Sequence, residues 1–373
     1  MEIDSVDTDD HQQVRQFLDL PFQIYRDIPQ WVPPLRSEAR LILNRRRHPF
    51  YGHSDAAFFI AREGKRITGR LAVLDNQRYN EYNREKTAFF YLFECVDHLE
   101  TACALFEKAK AWAHERHLDR MIGPRGFSVF DGMGLLVKGF EHRPAFGLPY
   151  NPPYYQRLIE ESGFIPDSDI VSGFLGSETR LPDQIFKASE LIQKRRGLRV
   201  ARYRNRRELR ALVPHLHSLY NTSLEGTSGN YPLTDEEVKM IANQILWFAD
   251  PHLIKIVMKE NAPVGFLFAY PDISAALQRT GGRLFPFGWI DLLFELRRTK
   301  WININGAGML EKYRGLGGTA LLFSEMYKSV AESKYRYADL VQIGAENDKM
   351  LRELRDLGID FYKTHRVYRK EVQ

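Results

Sequence analysis

Cysteine is scarce in this 373-residue sequence, with two residues, Cys95 and Cys103. Two thiols at that spacing make neither a disulfide framework nor a metal-ligand set, so a reduced, cytoplasmic setting is expected. Long hydrophobic runs are also missing; none reaches the roughly 18–20 residues that a bilayer-spanning helix needs. The opening MEIDSVDTDDHQQ is acidic and polar, and no secretory signal is expected. Charge of one sign is in short supply, since 53 Lys and Arg stand against 48 Asp and Glu, a net +5. Such an excess suits a small anionic partner or an acidic lipid surface. The two signs are interspersed, which argues against nucleic acid.

Aromatics, by contrast, are plentiful, with 24 Phe and 18 Tyr. Hydrophobic residues make up 44% and charged residues 27%, the balance of an ordinary globular chain. The length predicts two domains, and we place the boundary near residue 180, giving 1–180 and 181–373. In the first part, Gln12–Arg26 reads as a helix, Ala56–Arg62 and Ile67–Asp75 as a hairpin, and Thr87–Cys95 as a strand. A helix (Leu99–His117), a short strand (Arg120–Gly123), a helix (Asn151–Ser162) and a closing strand (Ile170–Leu175) follow. The second part repeats this order. Helices Arg206–Tyr220 and one opened by Thr234-Asp-Glu-Glu237, a capping-box pattern, precede a hairpin (Ile254–Glu260, Pro263–Tyr270). After an insertion (Asp272–Lys300) come strand Trp301–Met309, a helix, strand Tyr337–Ile343, helix Lys349–Leu357 and strand Phe361–Lys370. A mixed α/β sheet in each half, and duplication, are the expectation. The basic stretch RRGLRVARYRNRRELR after Leu181–Arg196 reads either as a solvated face or as a patch for phosphate or anionic lipid.

The chain is organised around Met309–Ser324, MLEKYRGLGGTALLFS. Arg314 precedes four small positions, Gly315, Gly317, Gly318 and Thr319, and an amphipathic run, Ala320–Tyr335. A strand, a glycine turn and a helix start make an anion site, because first-turn N–H groups lack partners and carry the positive end of the helix dipole. Glycine lets backbone approach a phosphate, and Arg314 adds a charge-assisted contact. The stretch lacks the Gly-Lys-Ser/Thr ending of the nucleotide-triphosphate loop and is too short for the dinucleotide fingerprint.

This turn resembles motif A of the GCN5-related N-acyltransferases, the GNAT superfamily, which holds the pyrophosphate of coenzyme A. Read as Tyr-Arg-Gly-Leu-Gly-Gly, it is one residue short of the usual pattern. The element order is the GNAT order, twice. Asn347, after Glu346, matches the asparagine that contacts coenzyme A in such domains, and Leu357-Gly358 the usual helix end. Trp31-Val-Pro-Pro-Leu35, His48-Pro-Phe50, Tyr150-Asn-Pro-Pro-Tyr-Tyr155, Gly282-Arg-Leu-Phe-Pro-Phe-Gly288 and Tyr362-Lys363 are similar to a bacterial tandem-GNAT group that includes YghO-type proteins and bacterial ceramide synthases. Two departures matter. The first half has no glycine turn after Phe90–Glu94, and Asp97 and Glu100 would repel a pyrophosphate, so it is expected to shape the acceptor side. The tyrosine that protonates the leaving thiolate in many GNAT enzymes is replaced by Leu354.

The resemblance implies attack of an amine on a coenzyme A thioester, acyl-CoA or acetyl-CoA, with no metal. An enzyme for that reaction juxtaposes the reactants, polarises the carbonyl and removes a proton. The Met309 backbone N–H, beside the glycine turn, is the oxyanion candidate. Glu346, Glu225 and Glu94 are the base candidates, each also readable as a surface or structural carboxylate. Asn303 and Asn305 share a strand face and are expected at the cleft. Tyr220, Asn221 and Tyr231 are expected on the acceptor loop. The insertion segment Leu284–Leu296, LFPFGWIDLLFEL, reads as a helix packed on the core, an acyl-chain wall, or an interfacial helix with Arg297, Arg298 and Lys300 at headgroups. Phe127–Leu136, glycine-rich and apolar, reads as interdomain cleft or surface loop. Three functions follow: long-chain N-acyltransfer to a lipid or sphingoid amine, with peripheral contact at the inner membrane face; N-acetyltransfer to a small amine; or non-catalytic acyl-CoA or lipid binding.

Overall fold

A computed structural model describes residues 1–176, 178–223, 229–314 and 317–372. Its strands are β1 (Glu2–Ser5), β2 (Asp55–Glu63), β3 (Arg66–Asp75), β4 (Thr87–Cys95), β5 (Arg120–Gly123), β6 (Leu135–Lys138), β7 (Ile165–Gly176), β8 (Leu198–Ala201), β9 (Ile254–Lys259), β10 (Ala262–Pro271), β11 (Trp301–Met309), β12 (Tyr337–Gly344) and β13 (Asp360–Glu371). They form one sheet in the order β1-β2-β3-β4-β5-β13-β7-β12-β11-β10-β9-β8, with β6 also on β13. Each half therefore lends its last strand to the other. β13, from the end of the chain, pairs with β5, and β7 pairs with β12. The two exchanged strands pair antiparallel with each other between the halves.

The duplication is visible strand by strand. β3 and β10 each have 10 residues, and β4 and β11 each have 9. The sixth residue of β4, Leu92, has φ 52°, and the sixth of β11, Gly306, has φ 101°. Both strands pair in parallel with the next strand only at their beginnings, Thr87–Phe89 with Arg120–Ile122 and Trp301–Ile304 with Tyr337–Leu340. Beyond those points the strands diverge.

On one face, helix Leu99–Glu115 covers the first half through Leu105, Phe106 and Ala109. Helix Gly318–Ala331 covers the second through Leu321, Leu322 and Met326, against Ile302 and Ile304. On the opposite face a single cluster joins the halves: Phe17, Phe58 and Phe89 from the first pack with Tyr231, Val238 and Ile241 from the second. Helix Asp235–Leu246, which carries Val238 and Ile241, starts at the expected capping box. The Glu237 N–H donates to Thr234 Oγ1 at 3.2 Å, and the Thr234 N–H to Glu237 Oε2 at 2.8 Å.

Several elements differ from expectation. Strand β7 begins at Ile165, five residues before the expected Ile170, because β13 supplies backbone partners for the polar Ile165–Asp169 stretch. β1, β6, β8 and helix Gln77–Asn83 carry too little periodicity to be read alone. The expected helix Arg206–Tyr220 is two, Arg206–Arg210 and Val213–Ser223, with Pro214 in the first turn of the second. Pro152 and Pro153 precede, rather than open, helix Tyr154–Glu161. The insertion holds helices Ser274–Thr280 and Gly288–Arg298.

Candidate functional site

The site grows from the divergence of β11 and β12. Past Ile304 the β12-facing edge of β11 is open. The Leu310 N–H donates to Val264 O of β10 at 2.9 Å, so antiparallel alternation turns the Met309 N–H the other way, toward the open edge. The chain then passes Glu311–Tyr313 and reaches Gly317, which caps helix Gly318–Ala331 with φ 86°. Among the described residues no side chain caps this helix, which leaves its first amides for water or a ligand. That fits a diphosphate, with exposed Thr319 in the first turn. The glycines have a packing reason as well. A Cβ on Gly317 would strike Ile192, and one on Gly318 would strike Met309.

Arg314 is more occupied than a free phosphate ligand would be. Its Nε donates to Met309 O at 3.1 Å and its Nη2 to Ser223 O at 2.7 Å, tying the turn to the end of helix Val213–Ser223. Asn347 caps helix Asp348–Asp356, its Oδ1 accepting from the Met350 N–H at 3.1 Å. Glu346, just before it, is exposed. Glu225 and Gly315 lie outside the described residues. Leu354 is buried in the second-half core.

Asn305 points to where the acceptor would meet this edge. It donates to Tyr270 Oη at 3.2 Å and lines a cavity of about 250 Å³ between the halves. Phe268 and Tyr270 of β10 and Ile241 and Gln244 of helix Asp235–Leu246 form its second-half wall. Glu38, His48, Arg70 and Asp131 contribute from the first half. The expected cleft segment is partly there, since Ser128, Phe130, Asp131 and Gly132 line the cavity. Burial, with help from Asp131, pushes Glu38 up to about 7. Burial raises Asp131 to about 6 against two backbone N–H bonds, and burial lowers His48 to about 4.

Beside the cleft lies a second, apolar pocket of about 80 Å³, with which it shares the wall residues Phe130, Ile241, Ile245 and Phe268. Leu209, Leu219, Tyr220, Ala242, Leu246 and Phe266 are among its other lining residues, and among the described residues no charged side chain lines it. Tyr220 thus belongs to an apolar wall, stacked 6.0 Å from Phe266, rather than to a polar acceptor loop. Asn221 and Tyr231 act as braces. Asn221 accepts from the Leu233 N–H at 3.0 Å and donates to its carbonyl at 3.1 Å. Tyr231 is buried edge-on to Tyr79 of the first half, with its hydroxyl 3.4 Å from Phe127 O.

Asn303 and Asn305 share a face, as alternation requires, but serve different cavities. Asn303 donates to Asp272 at 3.2 Å and lines a separate space with Asp339 and Tyr362. Glu94 is clamped by Tyr25 (2.7 Å), Tyr155 (2.8 Å) and Arg70 (3.5 Å). Burial raises its pKa against those donors, and it lines a cavity adjoining the cleft through Glu38, Arg70 and Tyr91. Glu38, Asp131 and His48 were not candidates from sequence. His48 falls in the quoted His48-Pro-Phe50 segment and Asp131 in Phe127–Leu136, but only the fold brings them together with Glu38. Among the described residues, no group of three or more His, Cys, Asp or Glu is placed to hold a metal.

Comparison with known proteins places this geometry. No family model matches the chain. Protein YghO of Escherichia coli (strain K12) is 25% identical over 366 residues, covering 96% of this chain and 93% of that protein. Bacterial ceramide synthase of Caulobacter vibrioides (strain NA1000 / CB15N) is 25% identical over 375 residues, covering 96% and 95%. Among solved structures, a tandem GNAT protein from the clavulanic acid biosynthesis pathway superposes with a TM-score of 0.57 at 13% identity, covering 100% of this chain and 98% of that one. A GCN5-related N-acetyltransferase from Anabaena variabilis ATCC 29413 gives 0.53 at 10% identity, covering 100% and 73%. This chain is a tandem GNAT-fold protein, similar over nearly its whole length to YghO and to a bacterial ceramide synthase.

Proposed function

We propose that this protein is an N-acyltransferase that moves a long acyl group from a coenzyme A thioester to a lipid amine. One observation carries the reading: the open edge of β11 adjoins a cleft that shares a wall with an apolar pocket. Residues 181–373 would hold the thioester and residues 1–180 would shape the acceptor side. The amides of Gly318 and Thr319 would take the diphosphate, with Arg314 bracing the turn and Asn347 close to its family position. The Met309 N–H would stabilise the oxyanion. An acyl chain threaded between helices Val213–Ser223 and Asp235–Leu246 would gain about 0.8 kcal/mol per buried methylene. The relative named ceramide synthase agrees with a lipid acceptor.

The surface supports the same reading. Helix Gly288–Arg298 buries Leu292 and turns Trp289, Ile290, Leu293 and Phe294 outward. Phe285 and Phe287 before it are 82% and 72% exposed. An outward apolar face flanked by exposed Arg283, Arg297, Arg298 and Lys300 suits an anionic bilayer surface. The patch adjoins the cleft mouth: the Arg36 N–H donates to Gly282 O at 3.0 Å, and Arg36 lines the cleft. A lipid amine would enter from that side.

The test is product formation by mass spectrometry from palmitoyl-CoA or acetyl-CoA with a long-chain amine, alongside the shift in thermal midpoint with each donor. Amide formed from palmitoyl-CoA, and a larger shift with it, supports the reading. Preference for acetyl-CoA on a small amine refutes the chain length. Binding without product favours a non-catalytic acyl-CoA protein, for which the buried Leu354 in place of the usual acid is the motivating observation.

A further inference from the structure

Among the described residues three carboxylates line the cleft, and they are not equivalent. Asp19 is paired with Arg15 at 3.3 Å and Arg36 at 3.1 Å. Asp131 spends Oδ2 on the N–H groups of Phe127 (2.7 Å) and Ser128 (2.9 Å), which fixes its carboxylate in the loop. Glu38 has no hydrogen bond or ion pair with any described residue. Its helix, Arg36–Ile42, is held in place by Arg36, whose Nε donates to Gly281 O at 3.1 Å. Glu38 also lines the adjoining cavity around Glu94, so it stands where the two spaces meet.

We propose that Glu38 accepts the proton of the acceptor ammonium, and that Asp131, fixed in its loop on the same cleft, is its positioning residue; this rests on the acyl-transfer reading above. An unpartnered carboxylate costs solvation when buried and is offset when a cation arrives. An acceptor amine enters as R–NH3⁺. Glu38 takes one proton and becomes the neutral acid. The freed lone pair forms the C–N bond, the C–S bond breaks, and the second N–H proton passes to the departing sulfur. Glu38 then returns its proton to water, so one ammonium and one thioester yield one amide, one thiol and one released proton. The groups facing Glu38 agree with this. Arg15, Arg36 and Arg70 are engaged elsewhere, Arg70 donating to Phe17 O at 2.8 Å and to Glu94. His48 is kept neutral by burial, and Arg40, on the same helix as Glu38, reaches the cleft with an otherwise exposed side chain. Helix Asp235–Leu246 brings only the uncharged Met240, Ile241, Gln244 and Ile245 to the cleft. Burial, with a smaller contribution from Asp131, raises Glu38 to about 7, where it exchanges protons readily.

The experiment uses the full chain with palmitoyl-CoA and dodecylamine. For the unmodified protein, kcat/KM for the amine should rise about tenfold per pH unit below pH 7 and level off above, since the base works ionised. Glu38→Gln should lose about 100-fold or more in kcat with palmitoyl-CoA affinity unchanged, and Glu38→Asp should recover part of it. Asp131→Asn should move the limb to lower pH. Glu38→Gln within threefold of the unmodified protein, with the limb in place, would overturn the inference while leaving acyl transfer intact. If no amide forms at all, the functional reading fails. The subsite is then judged by calorimetric titration with dodecylammonium: a tenfold loss in Glu38→Gln upholds it and unchanged affinity sinks it.

Discussion

Lys363 on β13 and Asp339 on β12 meet at 2.6 Å across the intervening β7, with side chains 1% and 3% exposed. Tyr362 Oη adds a bond to the same carboxylate at 2.8 Å, and Lys363 also donates to Arg143 O at 3.3 Å. Burial raises Asp339 and the ammonium opposes it. A charge left alone here is costly. Lys363→Met should destabilise the protein by about 3–5 kcal/mol in urea unfolding. The double variant with Asp339→Asn should recover at least half. A loss below about 1 kcal/mol for the single variant would show that the pair is unimportant.

The exchanged strands make the halves interdependent. A chain of residues 1–180 alone leaves β5 without β13, and β7 without both of its neighbours. Open strand edges aggregate. Fragments 1–180 and 181–373 should each be insoluble or non-cooperative alone and should co-purify when expressed together. A cooperative melt from either fragment by itself would contradict this.

Chain-length selectivity should sit at Ala242, a buried small residue on the apolar pocket wall. Ala242→Trp fills the space. It should cut kcat/KM for palmitoyl-CoA by about tenfold or more, the worth of two or more buried methylenes, and move the optimum to shorter donors. Equal loss across all donor lengths would place the acyl chain elsewhere.

The patch around helix Gly288–Arg298 should govern membrane partition and leave the fold alone. Replacing Phe285, Phe287, Trp289 and Phe294 by Ser should lower binding to phosphatidylglycerol vesicles by at least about tenfold, with an unchanged thermal midpoint because these side chains are exposed. Replacing Arg283, Arg297 and Arg298 by Ala should remove the salt-dependent part, about 1 kcal/mol per residue. Vesicle binding that survives the aromatic replacements would exclude this face.

Much of the architecture was determined locally. Strands β10, β11 and β12, the Thr234–Glu237 capping box and the glycine turn into Gly318–Ala331 carry their own signals, because apolar period, caps and positive φ act within a few residues. The doubled element order follows from the same local rules. The tertiary structure alone decided the rest. Polar Ile165–Asp169 becomes strand only because β13 lies beside it, and the swap of β7 and β13 is a matter of pairing between residues far apart in sequence, such as Arg369 with Ile165 and Glu371 with Arg120. The run Leu284–Leu296 shows its apolarity in the sequence, but which face meets Leu35 and Leu277 and which meets solvent depends on packing. Glu38 and Asp131 come to line one cleft for the same reason: the setting of a half-buried carboxylate is made by what folds over it, and those walls come from both halves of the chain.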